Sequence, residues 1–143
     1  MTNVMCPATP HSLHEYAGII PIYQTMGAAC ADLELPTDAT IPARTAVKID
    51  LLLSFDIPEG YKIVMYPRSS LLMKHNLIQP TSIIDSDYKG NVHAPLYNPT
   101  DTDIHLPKGT RVAQIECVPA YNTVQWPRKY TKRGNGGFGS TDK

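Results

Sequence analysis

The sequence predicts an all-β domain, a sandwich or jelly-roll barrel with one short helix, and three observations carry that expectation. Thirteen prolines are spread along 143 residues. A proline inside a helix removes a hydrogen bond and clashes with the preceding turn, so long helices have no room. Between the prolines lie short β-rich runs separated by turn signals, the pattern of a sandwich, jelly roll or barrel. The chain has the length of one domain, and its 42% hydrophobic content is enough for a core.

Taken in order, the residues before Ile19 read as a solvated segment. His11 and His14, with Glu15 beside them, have a spacing that suggests metal ligands, but solvation is the better reading. The runs Thr45–Phe55, Tyr61–Tyr66 and Asn91–Tyr97 read as strands. Pro58-Glu59-Gly60, Asp87-Tyr88-Lys89-Gly90 and Pro107-Lys108-Gly109 read as the turns around them. Ser70–His75 is the helix candidate, with Ser69 or Ser70 as its N-cap. The clearest alternation is Arg111–Val118. Period two puts Arg111, Ala113, Ile115 and Cys117 on one face, and Val112, Gln114, Glu116 and Val118 on the other. Residues 1–127 form the expected domain. Residues 128–143 form a basic, glycine-rich arm, with Arg128, Lys129, Lys132, Arg133 and Lys143 against Asp142. With so little apolar surface it is expected to be flexible. Tyr121 and Trp126 read as packing residues.

Thirteen basic residues balance thirteen acidic ones. That balance argues against a disordered chain or a nucleic-acid coat, each of which carries a large imbalance. Apolar runs such as Ile49–Phe55, interrupted by Asp50, are far too short for a bilayer span. The N-terminal residues lack the pattern of a signal peptide. Cys6, Cys30 and Cys117 are an odd set with no CxxC spacing, against a disulfide framework or zinc site. A reducing, cytoplasmic location is the expectation, or a host-cell interior for a viral chain.

Three stretches carry chemistry. Gly134-Asn135-Gly136-Gly137-Phe138-Gly139 matches GxGxxG in letters only, because a dinucleotide fingerprint must follow a strand and open a helix. It is not a P-loop either, since Ser140 stands where the lysine belongs. What survives is a backbone able to approach an anion, with donors from Arg133, Ser140 and Thr141. Pro67-Arg68-Ser69-Ser70-Leu71 sets a guanidinium and two hydroxyls at a helix start, where anions settle, although an ordinary capped helix fits equally. Asp85 and Asp87 flank a turn beside Tyr88, which allows a general base, a metal ligand or a plain turn cap. His75, His93 and His105 have no partners at ligand spacing.

In this order along one chain, the motifs resemble the trimeric dUTP pyrophosphatase (dUTPase) family. Ala28–Leu33 stands at the family's first motif and Pro67–Leu71 is similar to its second. Ser82–Gly90 is similar to the third, Gly109–Gln114 to the fourth, and Arg133–Thr141 to the fifth, almost unchanged. The resemblance implies a jelly-roll subunit in a homotrimer with shared active sites. It implies hydrolysis of dUTP to dUMP and pyrophosphate by water attack on the α-phosphate with Mg²⁺, which limits uracil in DNA and supplies dUMP for thymidylate synthesis.

It also implies roles for individual residues. Asp85 activates the water and holds the sugar 3′-hydroxyl, and Tyr88 excludes a 2′-hydroxyl. The hairpin backbone from Gln79 to Ile84 bonds the uracil edge. Ser69 and Ser70 hold the phosphate chain, supported by Arg68, and Gln114 reaches a terminal phosphate. Arg111, on the opposite face of its strand, is structural. From the arm, Arg133, Ser140 and Thr141 bind the γ-phosphate, Gly139 gives close approach, and Phe138 stacks on uracil. Asp32 contacts the metal through water.

The chain departs from the family pattern at Cys30, Ala31, Ser70, Gln79 and Ser82. A left-handed backbone at Ser82, where glycine is usual, would be strained. Alternatives are a related dCTP deaminase activity, and a regulatory protein that binds a protein partner on this fold.

Overall fold

The computed structural model describes residues 4–122 and 126–130. Among these the elements run β1 (Ala8–Pro10), β2 (Ser12–Leu13), β3 (Tyr16–Ala17), β4 (Ala31–Glu34), β5 (Ala39–Ile41), β6 (Ala46–Asp50) and β7 (Leu53–Phe55). There follow β8 (Tyr61–Tyr66), α1 (Ser69–His75), β9 (Ser82–Ile84), β10 (His93–Tyr97), β11 (Ile104–Leu106) and β12 (Arg111–Pro119). The fold is therefore β with a single short helix, as the prolines require. Every strand pairing among the described residues is antiparallel. The widest sheet runs β4-β12-β8-β9, and the other strands pair two by two. Pro95 is tolerated in β10 because, beyond its ladder with β6, that strand's other edge carries only the single bridge of Tyr97 to Ile78, which Pro95 does not interrupt.

One core receives a side chain from almost every element. Leu33, Ile41, Leu53, Ile63, Met65, Leu71, Leu96, Leu106 and Val112 are all fully buried within it. Asn98 is buried too, but satisfied: its amide donates to the carbonyls of Ile41 and Thr102, and its Oδ1 accepts from Thr100. A buried amide with its partners made stabilises a loop rather than costing free energy. No helix among the described residues is long and apolar enough to cross a membrane.

Four sequence expectations change. The segment before Ile19 is not simply solvated: β1 pairs with β7, and His11 Nε2 lies 2.8 Å from Ser54 Oγ. The run Thr45–Phe55 divides into β6 and β7, because Leu51, Leu52 and Leu53 are all buried and period two cannot point three successive residues inward. Leu52 takes φ 54° to make the break, and its N–H donates to Asp50 Oδ1 at 2.8 Å. The N-cap of α1 is Arg68, in extended conformation and without a side-chain capping bond, rather than a serine. At the other end Asn76 takes the left-handed conformation. The N–H groups of Asn76 and Leu77 return to the carbonyls of Leu72 and Leu71, which closes the helix with a left-handed C-cap. Finally, Tyr121 and Trp126 are exposed in the single chain rather than packed.

Candidate active site

Pro67 has no N–H to offer a ladder, so β8 stops at Tyr66 and the chain turns into α1. One rung of the sheet at that end joins Asp32 on β4, Gln114 on β12 and Tyr66 on β8. The rung brings the first, second and fourth motif segments to one place. Arg68 Nε lies 3.2 Å from Asp32 Oδ1, and Arg111 Nε lies 3.9 Å from Oδ2. Arg68 Nη1 donates to Ser70 Oγ at 3.2 Å, and Gln114 Nε2 donates to the Pro67 carbonyl at 3.0 Å. Arg68, Ser69, Ser70, Gln114 and Asp32 line a cleft of about 340 Å³, with Thr25 and Cys30 also at its wall.

Asp32 is buried, and a carboxylate so far out of water requires charged partners. Two guanidiniums meet that requirement. The second corrects the alternation of β12. Arg111 pairs with Glu34 and Ala113 with Leu33, so a bulge inserts one extra residue and reverses the parity at Arg111. Arg111 therefore shares the face of Asp32 and Gln114, not the opposite one. The adjacent apolar pair Val112-Ala113, both buried, is the break in alternation that marks the bulge.

Beside the cleft, the Tyr66 phenol donates to Glu116 Oε1 at 2.7 Å, and this bond raises its pKa, with burial and the carboxylate charge adding to it. Burial, then the charges of Glu116 and Asp32, raise the Cys30 thiol. Cys30 is accordingly a neutral thiol and a poor nucleophile near neutral pH. The cleft offers guanidinium, hydroxyl and amide donors and no activated nucleophile. That is the chemistry of a phosphate holder.

The third motif lies elsewhere. β9 pairs with β8 on its other edge, Ile84 opposite Ile63, and Asp85 follows at the surface. The Asp85 carbonyl accepts the Tyr88 N–H at 3.1 Å, closing the turn. Asp85 lines a second cleft of about 630 Å³ with Lys62, Asp87, Tyr121 and Arg128. Two strand spacings and four residue rises separate this point from Gln114, about 16 Å in all. Tyr88 packs on the core, and Ile84 is half-buried. Gln79 is turned inward: its Nε2 lies 4.0 Å from Met65 Sδ, and Oε1 has no partner among the described residues. Ser82 is not among the residues of positive φ, so its backbone carries no strain. The structure thus gathers Asp32, Arg68, Ser69, Ser70 and Gln114, and sets Asp85 apart from them. Arg133, Phe138, Gly139, Ser140 and Thr141 lie outside the described residues. Among the described residues no three His, Cys, Asp or Glu side chains gather as a metal site.

Comparison with known proteins settles the family. The sequence model of the dUTPase family matches residues 17–142. This chain belongs to the dUTPase family. Its relatives include the deoxyuridine 5'-triphosphate nucleotidohydrolase of Paramecium bursaria Chlorella virus 1. That enzyme is 36% identical over 124 residues, covering 85% of this chain and 88% of the viral protein. The enzyme of the same name from Helicobacter hepaticus is 36% identical over 135 residues, 90% of this chain and 84% of its own. Among solved structures, the dUTPase of staphylococcal phage phi11, described with a structural Mg(II) ion, superposes with a TM-score of 0.74 at 18% identity. It covers 89% of this dUTPase chain and 99% of the phage chain.

Proposed function

We propose that this chain hydrolyses dUTP to dUMP and pyrophosphate at sites shared between the subunits of a homotrimer. The observation that carries the proposal is the separation of the two clefts. Ser69 and Gln114 are suited to hold the phosphates and Asp85 to deprotonate the attacking water, yet a single chain keeps Asp85 about 16 Å from Gln114 by strand geometry. A reacting water must lie within about 3–3.5 Å of the α-phosphorus. The phosphate cleft of one copy facing Asp85 of another closes that distance. Exposed Tyr121, Trp126 and Tyr130 supply the apolar surface that a second copy would cover.

In this reading Ser69 and Ser70 hold the phosphate chain, with Arg68 steadied by Asp32, and Gln114 reaches a terminal phosphate. Asp85 takes the proton as water adds to the α-phosphorus and the bond to the bridging oxygen breaks, releasing pyrophosphate. Tyr88 packs under the deoxyribose. The backbone from Gln79 to Ile84 meets the uracil edge, and the Gln79 side chain, turned inward, supports the hairpin from below. Arg133, Ser140 and Thr141 meet the γ-phosphate, Gly139 gives close approach and Phe138 covers the base.

Mg²⁺ fits as an ion carried by the substrate. It favours phosphate oxygens and retained waters, and Asp32, whose oxygens already face guanidiniums, could reach only its water shell. When bound, the ion neutralises charge on the phosphate chain. The biological outcome is less dUTP for incorporation into DNA and more dUMP for thymidylate synthesis.

Pyrophosphate release from dUTP, compared with dTTP, dCTP and UTP, tests the proposal. The expected result is turnover of dUTP far above the others. Ammonia release from dCTP would favour the deaminase instead.

A further inference from the structure

Tyr88, the residue read above as excluding ribose, is held from behind by a polar network. Its phenol donates to the main-chain carbonyl of Asn91. The same carbonyl faces His93 Nδ1 at 3.0 Å, so that nitrogen carries the donated hydrogen. The Asn91 side-chain amide reaches across to β6, where Nδ2 lies 3.1 and 3.3 Å from the two carboxylate oxygens of Asp50. Asp50 is itself fixed. Its Oδ1 accepts the N–H of Leu52 at the left-handed break between β6 and β7, and it is the register partner of His93 on β10. His93 Nε2 lies 3.9 Å from Asp50 Oδ2.

We propose that Asp50 is a positioning residue for sugar discrimination, acting through Asn91 on Tyr88. The inference rests on the dUTPase reading and adds to it a residue on a different strand, in neither cleft. Steric exclusion of one hydroxyl depends on ring placement to within about half an ångström. The Tyr88 side chain packs on the core, and the bond from its phenol to the Asn91 carbonyl fixes the direction of its polar end. The peptide that carries this carbonyl is anchored on its other side, where the Val92 N–H donates to the Leu53 carbonyl at 2.7 Å, and the tie from the Asn91 side chain to Asp50 is the second restraint that sets its tilt. Without the tie, the turn between β9 and β10 relaxes, the ring tips, and space for a 2′-hydroxyl opens. Asp50 lines neither cleft, so the rate with dUTP is expected to change little.

The test measures kcat/KM for dUTP and UTP in the full-length protein and four variants. Asp50→Ala is expected to lower the dUTP-to-UTP ratio about three- to tenfold, the worth of one hydrogen bond, with dUTP kcat within about twofold. Asp50→Asn, which keeps an oxygen for both Leu52 and Asn91, should retain the wild-type ratio. Tyr88→Phe, which removes only the phenol oxygen, should lower the ratio in the same way, and it keeps the test alive should Asp50→Ala not fold. The double variant Asp50→Ala/Tyr88→Phe should be no worse than either single change, because both cut one chain of contacts. An unchanged ratio in Asp50→Ala or in Tyr88→Phe, or effects that multiply in the double variant, would overturn the inference while leaving the dUTPase reading intact. A wild-type protein that turns over neither nucleotide, or both equally, would overturn the reading and the inference with it.

Discussion

Asp85 stands at the surface just beyond β9, in a wide cleft beside Lys62 and Arg128. In the proposed reaction, Asp85→Asn preserves the shape and an oxygen for the sugar hydroxyl but removes the base. Turnover of dUTP should fall by about two to four orders of magnitude, the usual reach of general-base removal, while nucleotide binding measured by calorimetry stays close to wild type. Near-normal turnover in the folded variant would remove Asp85 from the role. A second residue-level expectation concerns Cys6, which shares an apolar groove with Cys117. Burial, then the neighbouring Cys117 and the charge of Asp56, push the Cys6 thiol from 9.0 up to about 12. The folded state therefore holds its proton more tightly than the unfolded chain. This contribution to stability is complete below the unfolded value and is lost as pH rises from about 9 toward 12. Thermal unfolding across alkaline pH should show a steeper decline for wild type than for Cys6→Ser. Parallel profiles would contradict it.

Among the elements, the contact between the N-terminal hairpin and the β6–β7 break leaves least freedom. A Cβ added at Gly18 would lie 2.0 Å from the Leu52 carbonyl oxygen, backbone against backbone. The same carbonyl accepts the His11 N–H at 2.8 Å. Gly18→Ala should therefore cost about 1–3 kcal/mol or more of stability, as overpacking does, read as a lower urea midpoint. An unchanged midpoint would mean that the hairpin lifts off without consequence. This contact was not legible in the sequence, because β1 is held by main-chain bonds to β7, and its short, largely exposed side chains leave no period to read. By contrast β8 and α1 were legible. Tyr61–Tyr66 is bounded by Gly60 and Pro67, and the helix had nowhere else to lie among the prolines. Of the cleft, Arg68, Ser69 and Ser70 are marked in the sequence by the proline-bounded helix start, and Gln114 by motif order. Arg111 was misassigned, since a single bulge reverses parity and period-two reasoning assumes there is none.

At the scale of the whole molecule, the β4-β12-β8-β9 sheet separates the two halves of the proposed chemistry. The phosphate cleft lies by the Tyr66 end of β8 and Asp85 by its Lys62 end, so no side-chain rotation joins them. The motif resemblance already implies shared sites, and the structure adds the strand geometry that keeps the two clefts of one copy apart. The measurement that tests shared sites most directly is complementation between two inactive chains, Asp85→Asn and Ser69→Ala/Gln114→Ala, dissociated and reassembled together. In a ring where each site takes Asp85 from one copy and the cleft from its neighbour, every mixed trimer holds one whole site in three. Random assembly of equal amounts makes three quarters of the trimers mixed, so dUTP hydrolysis should recover to about a quarter of wild type. With exchange verified by a tag on one chain, no recovery above the two parent variants would contradict shared sites.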